Sequence, residues 1–394
     1  MGRKTLISCT VTILLPFAAQ AATLQVGPTR ALKTLPAAAS AARAGDVIEI
    51  DAGTYTQGAQ WNADNLLIRT APGAAAGSVI VSGGTVAGKA LFVTDGQNIT
   101  IDGLRFQNAF VRDQNGAGIR MQGRNLTVLN SSFGKAEHGI LVGSSDPEST
   151  LTVRNSQFHD FYSPGGSGVL THGLYVGNSI GELVVEDSTF SKNVTGHLVK
   201  SRALRTTIRD VTLDGRQGTS SYLIDVPEGG QLVVEDSELI KGANSPSNTA
   251  IAYGFERYKG GQFVNPDGFV FIGNNSFTNY RASGTNTFIE NRTDVEIELH
   301  ENALTAAAGR VELVRGPHVV TTAADLLTPI EGGPSAALPI GDLPPFEDVA
   351  QPSRHLAGIG NVSSTAVAVP APAAVGLFVA GLALVGTLRR RRKV

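Results

Sequence analysis

The sequence predicts an all-β parallel solenoid, a chain wound as stacked coils, and three observations carry that prediction. Large apolar residues recur at Phe106, Phe133, Phe158, Phe190, Leu213, Leu239, Phe277 and Leu304, seven steps over 198 residues or about 28 per repeat. A second strand pattern lies between them, with five-residue cores beginning at Ala117, His138, His172, His197, Tyr222 and Thr249. Insertions between the strands vary in length, and no long helical pattern separates them, so each coil is expected to stack on the one before. A closed antiparallel barrel fits this period less well.

The chain opens with Arg3 and Lys4, an apolar run from Leu6 to Ala19, and Ala19-Gln20-Ala21. That is the form of a cleavable secretory signal over residues 1–21, and it predicts export. Cys9, the single cysteine, lies inside that run, so the processed chain has neither a disulfide nor a thiol nucleophile. Leu32 to Ala44 is alanine-rich and amphipathic, and it reads as a short helix covering the open end of the solenoid, where a bare coil would expose strand edges.

Strands then recur from about Val47 to Arg315 within one domain, residues 22–325. Three residues before most of the large apolar positions stands Asn130, Asn155, Asp187, Asp210, Asp236 or Asn274. Such side chains tolerate turn geometry and bond to nearby backbone, so this column is read as structural, with calcium at the three aspartates the other option. Trp61 is read as part of the first coils. Residues 326–368 turn rich in Pro, Gly, Ala and Ser and read as a flexible linker.

From Ala373 to Leu388 runs a second apolar stretch, short for a span of roughly 20 residues, followed by Arg389, Arg390, Arg391, Arg392 and Lys393. With Val369-Pro370-Ala371-Pro372 before it, the segment 369–394 resembles the PEP-CTERM sorting tails of Gram-negative bacteria, with Ala371 where those tails carry glutamate. The resemblance implies a transmembrane helix held transiently in the inner membrane, exosortase-type processing machinery as a partner, and delivery to the periplasm, cell surface or medium. Without the two basic residues of the leader and the five of the tail, 25 basic residues face 34 acidic ones, a net of about −9. Nucleic acid is thereby excluded as a partner, because its binding needs a basic footprint.

The repeat region, about residues 23–315, resembles the right-handed parallel β-helix, or pectin-lyase-like, superfamily, whose members include polysaccharide lyases, hydrolases and epimerases. The run Gly196-His197-Leu198-Val199-Lys200-Ser201-Arg202-Ala203, with Gly218-Thr219-Ser220-Ser221-Tyr222 and Pro227-Glu228-Gly229-Gly230, is similar to a subgroup of secreted bacterial β-helix proteins without an assigned activity. Fold alone supplies no reaction, so function has to be argued from a site.

Aligned without gaps, the second strands carry Ile, Leu or Val at their third position, which predicts that the second and fourth positions point outward. The fourth position reads Arg120, Leu141, Tyr175, Lys200, Asp225 and Ala252, with Glu290 next if Ile289 is buried. Arg202 points the same way as Lys200, so Tyr175, Lys200, Arg202 and Asp225 are expected in one polar patch on rungs about 4.8 Å apart. At the strand starts His138, His172, His197 and Tyr222 form a second column, given the parity of the buried side and placed at a coil corner.

An extended sugar chain suits a long parallel sheet with repeating subsites. Lys192, Lys200, Arg202, Arg205, Arg209 and Arg216 lie in one stretch with Asp210 and Asp214, a basic stripe suited to polyuronate carboxylates. Elimination requires a cation on the carboxylate, a base for the C5 proton and an acid for the leaving oxygen. Arg202 and Lys200 are the expected carboxylate binders, His197 the base and Tyr222 the acid, with Tyr175, Asp225, His172, Arg120 and Glu256 lining the substrate groove. Lys200 is a poor base, because Asp225 one rung away favours its charged form by about 3 kcal/mol at an effective dielectric near 20.

The resemblance also implies calcium in place of some cations, with Asp225, Glu228 and Glu256 as ligands, although no local spacing matches a calcium loop. Three alternatives stay open: Lys200 with Asp225 as a plain cross-strand ion pair, a non-catalytic matrix protein binding polysaccharide, and a glycoside hydrolase. The last needs facing carboxylates, and the outward column shows no such cluster.

Overall fold

In the computed structural model, residues 21–164, 170–177, 180–256, 258–259, 262–263, 265–317, 319–320 and 327–329 are described. The expected leader, linker and sorting tail fall outside them, apart from residue 21 and the strand Leu327–Pro329. That strand pairs in parallel with Ala303–Ala306 and carries the sheet past the expected boundary at 325. No helix among the described residues is long and apolar enough to cross a membrane.

Each coil contributes three strands rather than two. They build three parallel sheets of 12, 11 and 10 strands in which every neighbour comes from an adjacent coil. One antiparallel pair stands apart among the described residues, Tyr258–Lys259 with Gln262–Phe263. The first sheet contains Ile99–Asp102, Leu126–Leu129, Thr150–Arg154, Glu182–Glu186 and Arg205–Arg209. Its residues alternate between the core and water, as in Leu151, Val153 inside and Thr152, Arg154 outside.

The Phe106 to Leu304 ladder lines the inner face of the second sheet, and all eight side chains are buried. Phe106, Phe133, Phe158 and Phe190 stack face to face with centroids 5.0, 4.8 and 4.5 Å apart and planes within 6 to 8° of parallel. That spacing is the rung of a parallel sheet, so backbone pairing and ring stacking reinforce each other.

Between the first and second sheets the chain turns through Asn130, Asn155, Asp187, Asp210, Asp236 and Asn274, each with φ between 46 and 54°. Asn and Asp enter this left-handed region more readily than other residues with a Cβ, which explains the column. Asn155 donates to Asn130 at 2.6 Å, and Asn130 donates to Asp102 at 2.6 Å. The next residue points inward: the hydroxyls of Ser131, Ser156 and Ser188 donate to carbonyls two residues back, at 2.7, 2.8 and 2.7 Å. They also accept a neighbouring coil's N–H, as Ser156 does from Ser131 at 3.2 Å, so these buried corners are satisfied.

At the N-terminal end a helix spans Leu35–Ala41, with Thr34 capping it by accepting from the Ala37 N–H at 3.3 Å. It buries Leu35 and Ala38 in the core. It is shorter than the expected Leu32 to Ala44, because Leu32 bridges to Val26 and Ala42 is already extended.

Candidate functional site

The third sheet carries the outward column. Its strands Ala117–Met121, His138–Val142, His172–Val176, His197–Ser201, Ile224–Val226, Thr249–Tyr253 and Thr285–Asn291 lie side by side. Arg120, Leu141, Tyr175, Lys200, Asp225, Ala252 and Glu290 are consecutive partners across them.

The histidine column takes the outward side, not the buried side that its parity implies. The His172 ring stacks on Tyr175 with centroids 4.8 Å apart, and His197 Nε2 lies 3.4 Å from Asp225 Oδ2. Conversely, the second position faces inward. Leu198 and Leu223 belong to the core, and a Cβ on Gly173 would sit 2.8 Å from Phe190 Cδ1. Second and third residues both reach inward where the chain rounds the corner from the second sheet, so alternation holds only from the third residue on. Glycines at 118, 139 and 173 make room for Phe133, Phe158 and Phe190, and Leu198 appears where the opposing ladder changes to Leu213.

Tyr175, Lys200, Arg202 and Asp225 do converge. Lys200 Nζ lies 2.7 Å from Asp225 Oδ2 and 3.5 Å from Glu256 Oε1. Arg202 donates to Glu228 at 3.1 Å, to the Tyr175 hydroxyl at 3.1 Å and to Glu256 at 2.8 Å. Lys200 and Arg202 are each 8 % exposed and Asp225 is 2 % exposed, so the patch is largely desolvated.

His197 is also buried. Its Nδ1 accepts the Tyr222 N–H at 3.3 Å, which leaves the ring proton on Nε2, directed at Asp225. Burial, with the Lys200, Lys241 and Arg202 charges nearby, pushes its pKa down to about 3. The Tyr222 ring stacks on it with centroids 4.8 Å apart, and burial with the Asp225 and Glu290 charges raises the Tyr222 pKa. Burial also pushes Asp225 up, against the pull of Lys200. Farther along, His138 and His172 stack at 5.3 Å and leave all four ring nitrogens without a hydrogen-bond partner.

The expected basic stripe does not exist as one surface. Lys200 and Arg202 lie on and just beyond a third-sheet strand, Arg205 and Arg209 are on the first sheet, and Arg216 follows a second-sheet strand. Carboxylates from neighbouring coils or turns answer them: Glu182 beside Arg205, Glu186 and Glu235 beside Arg209, Asp214 beside Arg216, Asp160 beside Lys192.

Nor do Asp225, Glu228 and Glu256 fit a calcium site. Each carboxylate already faces Lys200 or Arg202, and no cluster of three or more metal-ligating side chains converges among the described residues.

Arg120, farther along the column, is half-buried, and its Nε lacks a hydrogen-bond partner. Burial lowers its pKa. Gly143 beside it forms the wall of a shallow concavity of about 430 Å³ lined also by Asp95, Gln122, Arg124 and Asp146. A second concavity of about 450 Å³ is lined by Lys135 and Asp160 of the second sheet with Tyr162 and Lys192. Neither concavity is lined by Tyr175, Lys200, Arg202 or Asp225, which lie on or just beyond the strands of the third sheet.

Two residues with no signal in the sequence complete the site. Phe255 packs edge-on to Tyr222 at 5.6 Å, and the Arg292 guanidinium lies 3.8 Å from the Phe255 ring centroid. Together they hold the turn that carries Glu256. The sequence contains no local signal for this, because Tyr222, Phe255 and Arg292 come from three successive coils.

The family model described as right handed beta helix region matches residues 89–293. Among solved structures, pectate lyase Pel9A is 14 % identical and superposes with a TM-score of 0.50, covering 81 % of this chain and 82 % of that one. An alginate lyase from Paenibacillus sp. str. FPU-7 is 16 % identical, with a TM-score of 0.48, covering 75 % of this chain and 99 % of that one. At these identities the likeness is one of fold. No curated protein matches the sequence. The family match spans more than half of the chain, and its strands are those that carry the outward column, so this protein belongs to the right-handed β-helix family.

Proposed function

We propose that this chain is an exported protein whose third-sheet face binds an acidic polysaccharide, with Tyr175, Lys200 and Arg202 forming the central subsite. One observation carries the reading: Lys200 and Arg202 stand side by side on the outward face and share the two oxygens of one carboxylate, that of Glu256. That is the arrangement a uronate carboxylate requires, a charge-assisted pair of contacts from a lysine and a preorganised arginine. Tyr175 beside them offers a ring and a hydroxyl to a sugar, and Arg120, two rungs away in the same column, offers a further cation. Recognition is local, because the other basic residues of the stretch lie on other faces.

A second reading, β-elimination at the same subsite, is favoured by the His197 and Tyr222 pair. The ring of His197 stays neutral and Tyr222 keeps its proton, so each holds the protonation state its role needs, but a histidine held at about 3 is a weak base and elimination requires that bound substrate raise its basicity. In that reaction His197 takes the C5 proton and the C–H electrons form the C4–C5 double bond. The C4–O bond breaks, and Tyr222 gives its proton to the leaving oxygen. In the resting geometry the Nδ1 lone pair is engaged by the Tyr222 N–H, so elimination further requires that this contact open.

The test is retention of the purified protein on polygalacturonate and alginate gels, with the ultraviolet absorbance of an unsaturated product followed in parallel. Passage of the protein through both gels, unretarded, would sink the binding reading. Retention without product, unchanged in His197→Ala, would leave binding and remove elimination.

A further inference from the structure

Glu256 differs from its partners in exposure. Its side chain is 44 % exposed, whereas those of Lys200 and Arg202 are 10 % and those of Asp225 and Glu228 are 3 % exposed. Lys200 already has a buried counter-charge in Asp225, and Arg202 has one in Glu228. The third carboxylate is therefore surplus to charge compensation. It reaches the pair from a turn, Gly254-Phe255-Glu256, that begins at a glycine with φ of 76° and is held from outside by Tyr222 and Arg292.

We propose that Glu256 is an intramolecular occupant of the carboxylate subsite, and that a uronate carboxylate binds by displacing it. The inference deepens the polysaccharide reading and rests on it. The exchange leaves the charge facing Lys200 and Arg202 unchanged, which lets a patch with three carboxylates and two cations accept an anionic ligand. It also sets specificity: a neutral or fully esterified chain has nothing to put in place of Glu256, so the turn stays closed against it. The cost is a competition, and apparent affinity falls in proportion to the fraction of molecules in which the turn is open.

The experiment is calorimetric titration of the full chain and of Glu256→Gln with oligogalacturonate, with its methyl ester and with oligoalginate. An exposed ion pair contributes up to about 1 kcal/mol, so the variant is expected to bind the free acid roughly three- to fivefold more tightly, with the ester unbound by both. Phe255→Ala, which loosens the turn without touching the charge, is expected to move affinity in the same direction. Equal or weaker binding by Glu256→Gln, with wild-type binding intact, would overturn the displacement idea and leave the polysaccharide reading standing. No binding of oligogalacturonate or oligoalginate by either protein would overturn both. Unchanged melting temperatures would show that the turn variants report on the site and not on the fold.

Discussion

The buried histidines make the fold sensitive to acid. His138 and His197 are held near a pKa of about 3, His172 is held well below its ordinary value, and burial is the first cause in each. Their unfolded value is near 6.5, so between that and the folded value the unfolded chain binds more protons and stability falls as pH falls. The loss is expected to begin below about pH 6.5 and to reach on the order of 1–2 kcal/mol per histidine near pH 5, read by urea denaturation across pH. His138→Leu, at a site that pairs with Ala117 and packs against the His172 and Tyr175 rings, should be tolerated at neutral pH and shrink that loss; an unchanged acid profile would refute the assignment. Arg202→Lys tests the other half of the site. A lysine cannot reproduce the guanidinium's simultaneous contacts with Glu228, Tyr175 and Glu256, so a destabilisation of about 2 kcal/mol is expected in denaturant titration. The Lys200 and Asp225 pairing was legible in the sequence because it needs only the strand register. Glu256 was named from the sequence as a residue of the groove, but its contact with both cations depends on how Phe255 is held by residues from two other coils.

At the level of strands, the apolar ladder was readable because one residue type recurs at one position, and the Asn and Asp column because its chemistry matches its backbone. The first-sheet strands were missed as a separate element. Their sequences, such as Leu126–Leu129 and Glu182–Glu186, merge with the turn column that follows, so three strands per coil read as two. The outward face was misassigned at its first two positions for a physical reason: period-2 alternation assumes a continuous strand, and the corner breaks it between His172 and Leu174. Gly173→Ala tests that geometry, since its Cβ would meet Phe190 Cδ1 at 2.8 Å and the Leu198 carbonyl at 2.7 Å. A destabilisation of about 1–3 kcal/mol is expected by denaturant titration, and a neutral effect would place the residue outside the core. The aspartate column offers the opposite sign. Burial, with Asp187 and Asp236 on the adjacent rungs, raises the Asp210 pKa, so the charged form is strained above that pKa and relieved below it. Asp210→Asn keeps the preference for positive φ and removes the repulsion. Because the side chain is exposed and screened, a gain of a few tenths of a kcal/mol near pH 7, vanishing in acid, is the expected result.

For the whole molecule, the governing property is that each coil touches only its neighbours. Stability in such a stack is close to a sum of coil and interface contributions, so damage at one end need not reach the middle. The chain protects its N-terminal end with the Leu35–Ala41 helix, which buries Leu35 completely, while the polar patch lies several coils away in Tyr175, Lys200, Arg202 and Asp225. Leu35→Asp places a charge where the helix seats. It should lift the cap and leave the first rung open to pairing with a second molecule, because unpaired parallel strands are a template for edge-to-edge association. The expected outcome is concentration-dependent oligomers in light scattering, with the affinity of the still-soluble fraction for oligogalacturonate unchanged. Loss of binding in step with uncapping would instead mean that the stack is cooperative from end to end, and that the site depends on a fold held together as one unit rather than coil by coil.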